Sequence, residues 1–116
     1  MNENFELYKK IKELSFDVLK QMNNVPRNLF YVKESLIEAF NSCIKLIRYY
    51  VVNSNETERV KLKYLKDLLV ELSFVDYQLE VLYKFKALGK NRYTELSNKL
   101  TEIRKITQGV INSEKK

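Results

Sequence analysis

The 116-residue chain contains no histidine, one cysteine (Cys43), one proline (Pro26) and two glycines (Gly89 and Gly109). Without imidazole it lacks the usual zinc and iron ligand sets and the ordinary base for a serine or cysteine nucleophile. A di-iron bundle would need Glu-x-x-His pairs, and none can be formed. Two isolated glycines cannot build a phosphate-cradling loop. Carboxylates remain, but Glu34 and Glu38, one helical turn apart, read as a solvated face. No enzymatic activity, metal or cofactor is expected. Cys43 lies between apolar turns and reads as a small buried hydrophobe, and a lone cysteine fits a reducing compartment. No apolar run approaches the ~18 to 20 residues of a membrane span, and Glu3 and Glu6 precede Lys9 where a signal peptide would put its basic residues first. The expectation is a cytoplasmic protein with no membrane partner.

With so few helix breakers, apolar residues recur at helical spacing almost throughout. The chain is expected to be all-α and a single domain over residues 1–116. Helix one is expected from about Glu3 to Met22, with Leu7, Ile11, Leu14 and Val18 as its stripe. Asn23, Asn24 and Pro26 end it. Asn28 can cap a second helix lasting to about Val52, with a seam of Ile37, Phe40, Ile44, Ile47 and Val51. Asn55 and Glu58 resemble a capping box for a third helix over about 57–88, and Gly89 suits the left-handed position that closes it. Asn91 would open helix four, with Leu96, Leu100, Ile103 and Val110 inward. Short connections force neighbouring helices antiparallel, giving an up-down-up-down four-helix bundle whose third helix, at about 48 Å, outreaches its neighbours.

That third helix is apolar on two sides. Leu62, Leu65, Leu68, Leu69, Leu72, Val75, Leu79 and Leu82 form the stripe that docks it onto its own domain. Val70, Phe74, Tyr77, Val81, Phe85 and Leu88 lie some 150° around the helix at roughly 100° per residue. An apolar strip of that size calls for a cover, and a second copy of the chain is the simplest one. These six are therefore the expected oligomer interface. Asp76 falls near the leucine stripe; it either bonds a hydroxyl or cation of another helix or occupies the rim.

Charge is the other signal. Lysine and arginine number 21 against 15 acids, a formal net charge of +6. Such an excess favours polyanions, chiefly RNA or DNA, although lysine on solvent faces gives the same balance. Two windows hold four cations and no acid: Arg59, Lys61, Lys63 and Lys66, then Lys84, Lys86, Lys90 and Arg92. In an antiparallel bundle the second window shares its end with Lys20 and Arg27. Tyr83 and Phe85 alternate with Lys84 and Lys86, an arrangement suited to rings and cations along a single strand.

Tyr64-Leu-Lys-Asp-Leu-Leu-Val-Glu-Leu, Lys90-Asn-Arg-Tyr-Thr-Glu-Leu, Leu100-Thr-Glu-Ile and Gln108-Gly-Val-Ile are the patterns that look familiar, together with Pro26-Arg-Asn followed by Phe30-Tyr-Val. Through them the chain resembles the bacterial four-helix-bundle family of 23S ribosomal RNA intervening-sequence proteins and the accessory variability determinants of diversity-generating retroelements. The resemblance implies a homopentameric, barrel-like ring with a basic surface. In the retroelement members that ring binds nucleic acid and a reverse transcriptase. The basic positions it carries over are Lys84, Lys86 and Lys90.

Two functions are thus in view. One is a non-enzymatic, homo-oligomeric bundle binding RNA or DNA, as an accessory to a reverse transcriptase. The other is a helical scaffold that recruits a protein partner and uses its charge for solubility.

Overall fold

The computed structural model describes residues 2–115, with side chains from residue 6 onward. Four helices pack closely: α1 (Asn2–Gln21), α2 (Phe30–Val52), α3 (Glu58–Lys84) and α4 (Lys90–Glu114). The most closely packed pairs are α2 with α3, α3 with α4, α1 with α4 and α1 with α2, so each helix has two main neighbours around one core. The molecule measures 45 × 22 × 18 Å between Cα extremes.

Helical spacing explains most of that core. Leu7, Ile11, Leu14 and Val18 of α1 are buried, as are Leu96, Leu100, Ile103 and Val110 of α4. Along α3 the buried row is Leu65, Leu68, Leu72, Val75, Leu79 and Leu82, with Leu62 and Leu69 half-buried at its edge. The seam expected for α2 needs correction. Its buried residues are Val32, Leu36, Ala39, Phe40, Cys43, Ile47 and Tyr50, while Ile37 and Ile44 are half-buried and Val51 is exposed. At ~100° per residue the true face is rotated by roughly 70° from the expected one. Tyr50 and Cys43 supply it, and two parallel apolar rows on one helix are why spacing alone chose wrongly.

The helix ends also differ from expectation. Between α1 and α2 the chain makes 3-10 turns at Met22–Asn24 and Arg27–Leu29, joined through extended Val25 and Pro26. Pro26 forces its predecessor out of helical geometry. Met22, Val25 and Leu29 fold inward and close the end of the bundle. Asn28 therefore lies inside a 3-10 turn, and Leu29 occupies the cap position of α2 without a side-chain bond. Thr57, not Asn55, caps α3, its hydroxyl accepting from the Val60 amide at 3.4 Å.

At the other end, α3 stops at Lys84 and is 27 residues long, about 40 Å at ~1.5 Å per residue, not the expected 48 Å. Since α4 has 25 residues, any overhang between the two shrinks accordingly. Lys86, at φ 64°, takes the left-handed position, and Gly89, at φ −71°, serves as the N-cap of α4. The Lys86 amide bonds the Tyr83 carbonyl at 3.0 Å and the Ala87 amide that of Leu82 at 2.8 Å. This pair of bonds is the Schellman closure, which satisfies carbonyls that the end of a helix leaves free.

Candidate nucleic-acid interface

Each cation expected at the basic end sits where local structure exposes it. Lys20 lies in the last turn of α1, Arg27 in the second 3-10 turn and Lys84 in the last turn of α3. Lys86 is the left-handed residue, Lys90 opens α4, and Arg92 follows in its first turn. All six side chains are exposed. Arg92 is engaged by Glu95 at 3.1 Å. Among the described residues, the side chains of Lys20, Arg27, Lys84, Lys86 and Lys90 enter no ion pair, hydrogen bond or ring contact, so their charge is uncompensated at short range.

Lys84, Lys86, Lys90 and Arg92 share the α3–α4 turn. A chain of ion pairs joins that turn to α1: Arg92 to Glu95, Glu95 to Lys99 at 3.6 Å, and Lys99 to Asp17 at 3.0 Å, with Asp17 one turn before Lys20. Asp17 and Glu95 hold the Lys99 ammonium above its ordinary value, chiefly through the Asp17 bond. Arg27 stands in the α1–α2 turn, and among the described residues no ion pair or hydrogen bond joins it to the other five. The first acid-free window, Arg59 to Lys66, is less free: Lys61 pairs with Glu114 at 3.1 Å and Lys63 with Asp67 at 2.9 Å.

Tyr83 does not alternate freely with the cations. Its ring stacks on Tyr93 of α4, with centroids 4.6 Å apart and planes 9° from parallel. Burial raises the Tyr93 hydroxyl above its ordinary value, with Asp76 and Glu80 adding to it. Phe85 is 64 % exposed. Sequence reasoning missed Phe30 and Tyr31, both exposed at the start of α2 beyond Arg27. Adjacent aromatics opening an apolar segment look like core, and only the helix phase shows otherwise.

The second apolar stripe of α3 is also shorter than expected. Val70, Phe74 and Tyr77 are exposed, with the rings of Phe74 and Tyr77 6.3 Å apart. Val81 is half-buried against the core, and Leu88 is 4 % exposed and lies beyond the helix. The Schellman turn folds Leu88 under the bundle, its amide on the Leu82 carbonyl at 3.2 Å, which removes it from any exposed face. Val70 borders a shallow groove of about 350 Å³ between α2 and α3, lined also by Ser42, Lys45, Leu46, Tyr49, Asp67 and Glu71.

Asp76 is half-exposed and faces Arg104 of α4 at 3.8 Å, so it takes the cation of another helix without being buried. Cys43 is fully buried; burial foremost, with Glu71 nearby, pushes its thiol up to about 12. A thiol held that far from its thiolate is a packing residue and not a nucleophile. Among the described residues no cluster of three or more acids or thiols is arranged to hold a metal, and no helix is long and apolar enough to cross a membrane. Comparison with protein-family models, with curated proteins and with solved structures gave no match.

Proposed function

We propose that the chain is a non-enzymatic, homo-oligomeric four-helix bundle that binds RNA or DNA through phosphates at the end carrying Lys20, Arg27, Lys84, Lys86, Lys90 and Arg92. The observation that carries the reading is that five of these six side-chain cations have no short-range partner among the described residues. Uncompensated ammonium and guanidinium groups release counterions when they meet phosphate, and that release supplies most of sequence-independent affinity.

An up-down-up-down course of the helices belongs to the same reading. It is supported by the pairing of Lys10 with Glu102 and Asp17 with Lys99, and by Tyr83 on Tyr93 against Lys61 on Glu114. In each helix pair, rising residue numbers on one helix meet falling numbers on the other. Exposed Val70, Phe74 and Tyr77 support self-assembly. A pentamer and a role beside a reverse transcriptase follow from the resemblance to the intervening-sequence and retroelement accessory proteins, and a cytoplasmic location from the sequence expectation of neither a membrane span nor a signal peptide. Repeating a weakly basic turn around a ring would make a multivalent surface.

The same apolar residues favour a second reading, a scaffold whose face recruits another protein. Salt separates the two. Affinity for RNA or DNA should fall steeply as salt rises, with a log-log slope of about −0.7 to −0.9 per phosphate neutralised. Replacing Lys84, Lys86, Lys90 and Arg92 with Gln should weaken binding alike for all sequences and flatten that slope. Absence of affinity at low salt would leave the scaffold.

A further inference from the structure

We infer that the basic end takes an unpaired polynucleotide strand in preference to a duplex, because exposed aromatic rings stand among its free cations. This rests on the phosphate-binding reading proposed above and specifies its ligand.

Phe30, Tyr31 and Phe85 are 49 %, 60 % and 64 % exposed. Arg27 precedes Phe30 by one turn, and Lys84 and Lys86 flank Phe85; among the described residues none of these three cations has a partner. The rings are also unengaged with one another, unlike Tyr83 and Tyr93, which spend a face each on their mutual stack. Register brings the two segments to the same level. Tyr49 of α2 stacks on Tyr64 of α3, Ser42 shares a groove with Val70, and Ser35 shares one with Phe74. Numbers fall along α2 as they rise along α3, so the start of α2, with Phe30 and the preceding Arg27, lies towards the end of the bundle at which α3 finishes and Phe85 follows.

A lone exposed ring needs no explanation. Three within the segments that also hold unpartnered cations form the two-part surface that single strands require: cations follow the backbone, and rings take the faces of successive bases. A duplex offers the same phosphates, but its bases are already stacked on each other. Rings therefore add affinity for unpaired strands alone, and they do so for any base. Glu34, exposed and without an ion pair among the described residues, lies one turn beyond Phe30 and Tyr31 and bounds the surface on α2.

The test is fluorescence anisotropy on the full chain with oligo(U), oligo(dT) and a mixed-sequence duplex of equal length. Both single strands are expected to bind more tightly than the duplex. Since one stacked base is worth about tenfold or more, changing Phe30, Tyr31 and Phe85 together to Ala should cost at least about a hundredfold on both strands. Duplex affinity and the salt slope should stay put. All three side chains are exposed, so the variant should keep its helix content by circular dichroism and its mass in solution. Equal affinity of the unaltered protein for strand and duplex, or unchanged binding by the variant, overturns the inference and leaves phosphate binding standing. Failure to bind any probe overturns both. A fall in the variant's mass gives the rings to subunit contacts and overturns the inference as well.

Discussion

The ring of Tyr83 lies 4.6 Å from that of Tyr93 and nearly parallel to it, linking the last turn of α3 to the first turn of α4. Both residues are half-buried, so the stack shields each ring from water on one face while the bundle shields the other edge. Aromatic pairs contribute about 0.5 to 1.5 kcal/mol beyond their area. Tyr93→Ala should lower unfolding free energy by about 1 to 2 kcal/mol in urea denaturation. A double-mutant cycle with Tyr83→Ala should return a coupling of about 0.5 to 1.5 kcal/mol. A coupling of zero would mean that the rings merely lie near each other.

Lys86 sits three residues after Tyr83, in a left-handed conformation at φ 64° that glycine adopts without steric cost. Its Cβ crowds the following carbonyl, a strain of roughly 1 kcal/mol or more. Lys86→Gly should therefore stabilise the protein by about 0.5 to 1 kcal/mol, part of it offset by the freer unfolded chain. It should also weaken nucleic-acid binding by removing one cation. Opposite signs for stability and affinity, measured on one variant, would mark Lys86 as a residue kept for its charge. If Lys86→Gly lost stability, the backbone argument would fail.

These two residues also show where sequence and structure part. The stripes of α1 and α4 were legible because each helix has only one apolar row, and so was the inner row of α3. The seam of α2 was not, since Leu36, Cys43 and Tyr50 run beside Ile37, Ile44 and Val51 and spacing cannot rank two adjacent rows. Gly89 drew the end of α3 towards itself because glycine is the commonest left-handed cap; here a lysine takes that position and the glycine opens the next helix. Of the candidate site, the cations could be read as windows free of acids. That Tyr83 is occupied by Tyr93, and that Phe30 and Tyr31 face solvent, depends on helix phase and packing that no single segment encodes.

At the far end of the bundle, Tyr50 is buried and its hydroxyl donates to the Glu114 carboxylate, which also pairs with Lys61 at 3.1 Å. An acid in the last turn of a helix opposes the helix dipole, so these partners offset an intrinsically poor position. The Tyr50 bond first, and Lys61 next, outweigh burial and hold Glu114 below its ordinary value of 4.5. A carboxylate whose folded pKa is depressed adds stability above its unfolded pKa and loses it as pH falls through the folded one. Glu114→Gln should thus cost about 1 to 2 kcal/mol at neutral pH, and the difference from the unaltered protein should close in acid below about pH 4. A difference independent of pH would show that the charge contributes nothing.

Phe74 and Tyr77 carry the remaining prediction, because the exposed strip of α3 has contracted to them and Val70. Val81 leans into the core and Leu88 is sealed beneath the turn, so the strip lies mid-helix and Phe85 stands apart from it at the basic end. The proposed assembly and the proposed phosphate binding would therefore draw on different residues and should be separable. Phe74→Glu with Tyr77→Glu adds two charges at positions already open to solvent in the protomer, so helix content should hold. In an assembly each would be buried without a partner, at a cost of several kcal/mol per charge. Sedimentation should show the unaltered protein as an oligomer at micromolar concentration and the double variant as a monomer. The monomer should still bind nucleic acid, but with the reduced apparent affinity of a single site, because the gain from several turns engaging one strand is lost. Replacing Lys84 with Gln should do the reverse, lowering affinity while leaving the mass unchanged. A monomeric unaltered protein would end the assembly reading, and a double variant that stayed assembled would move the interface off α3.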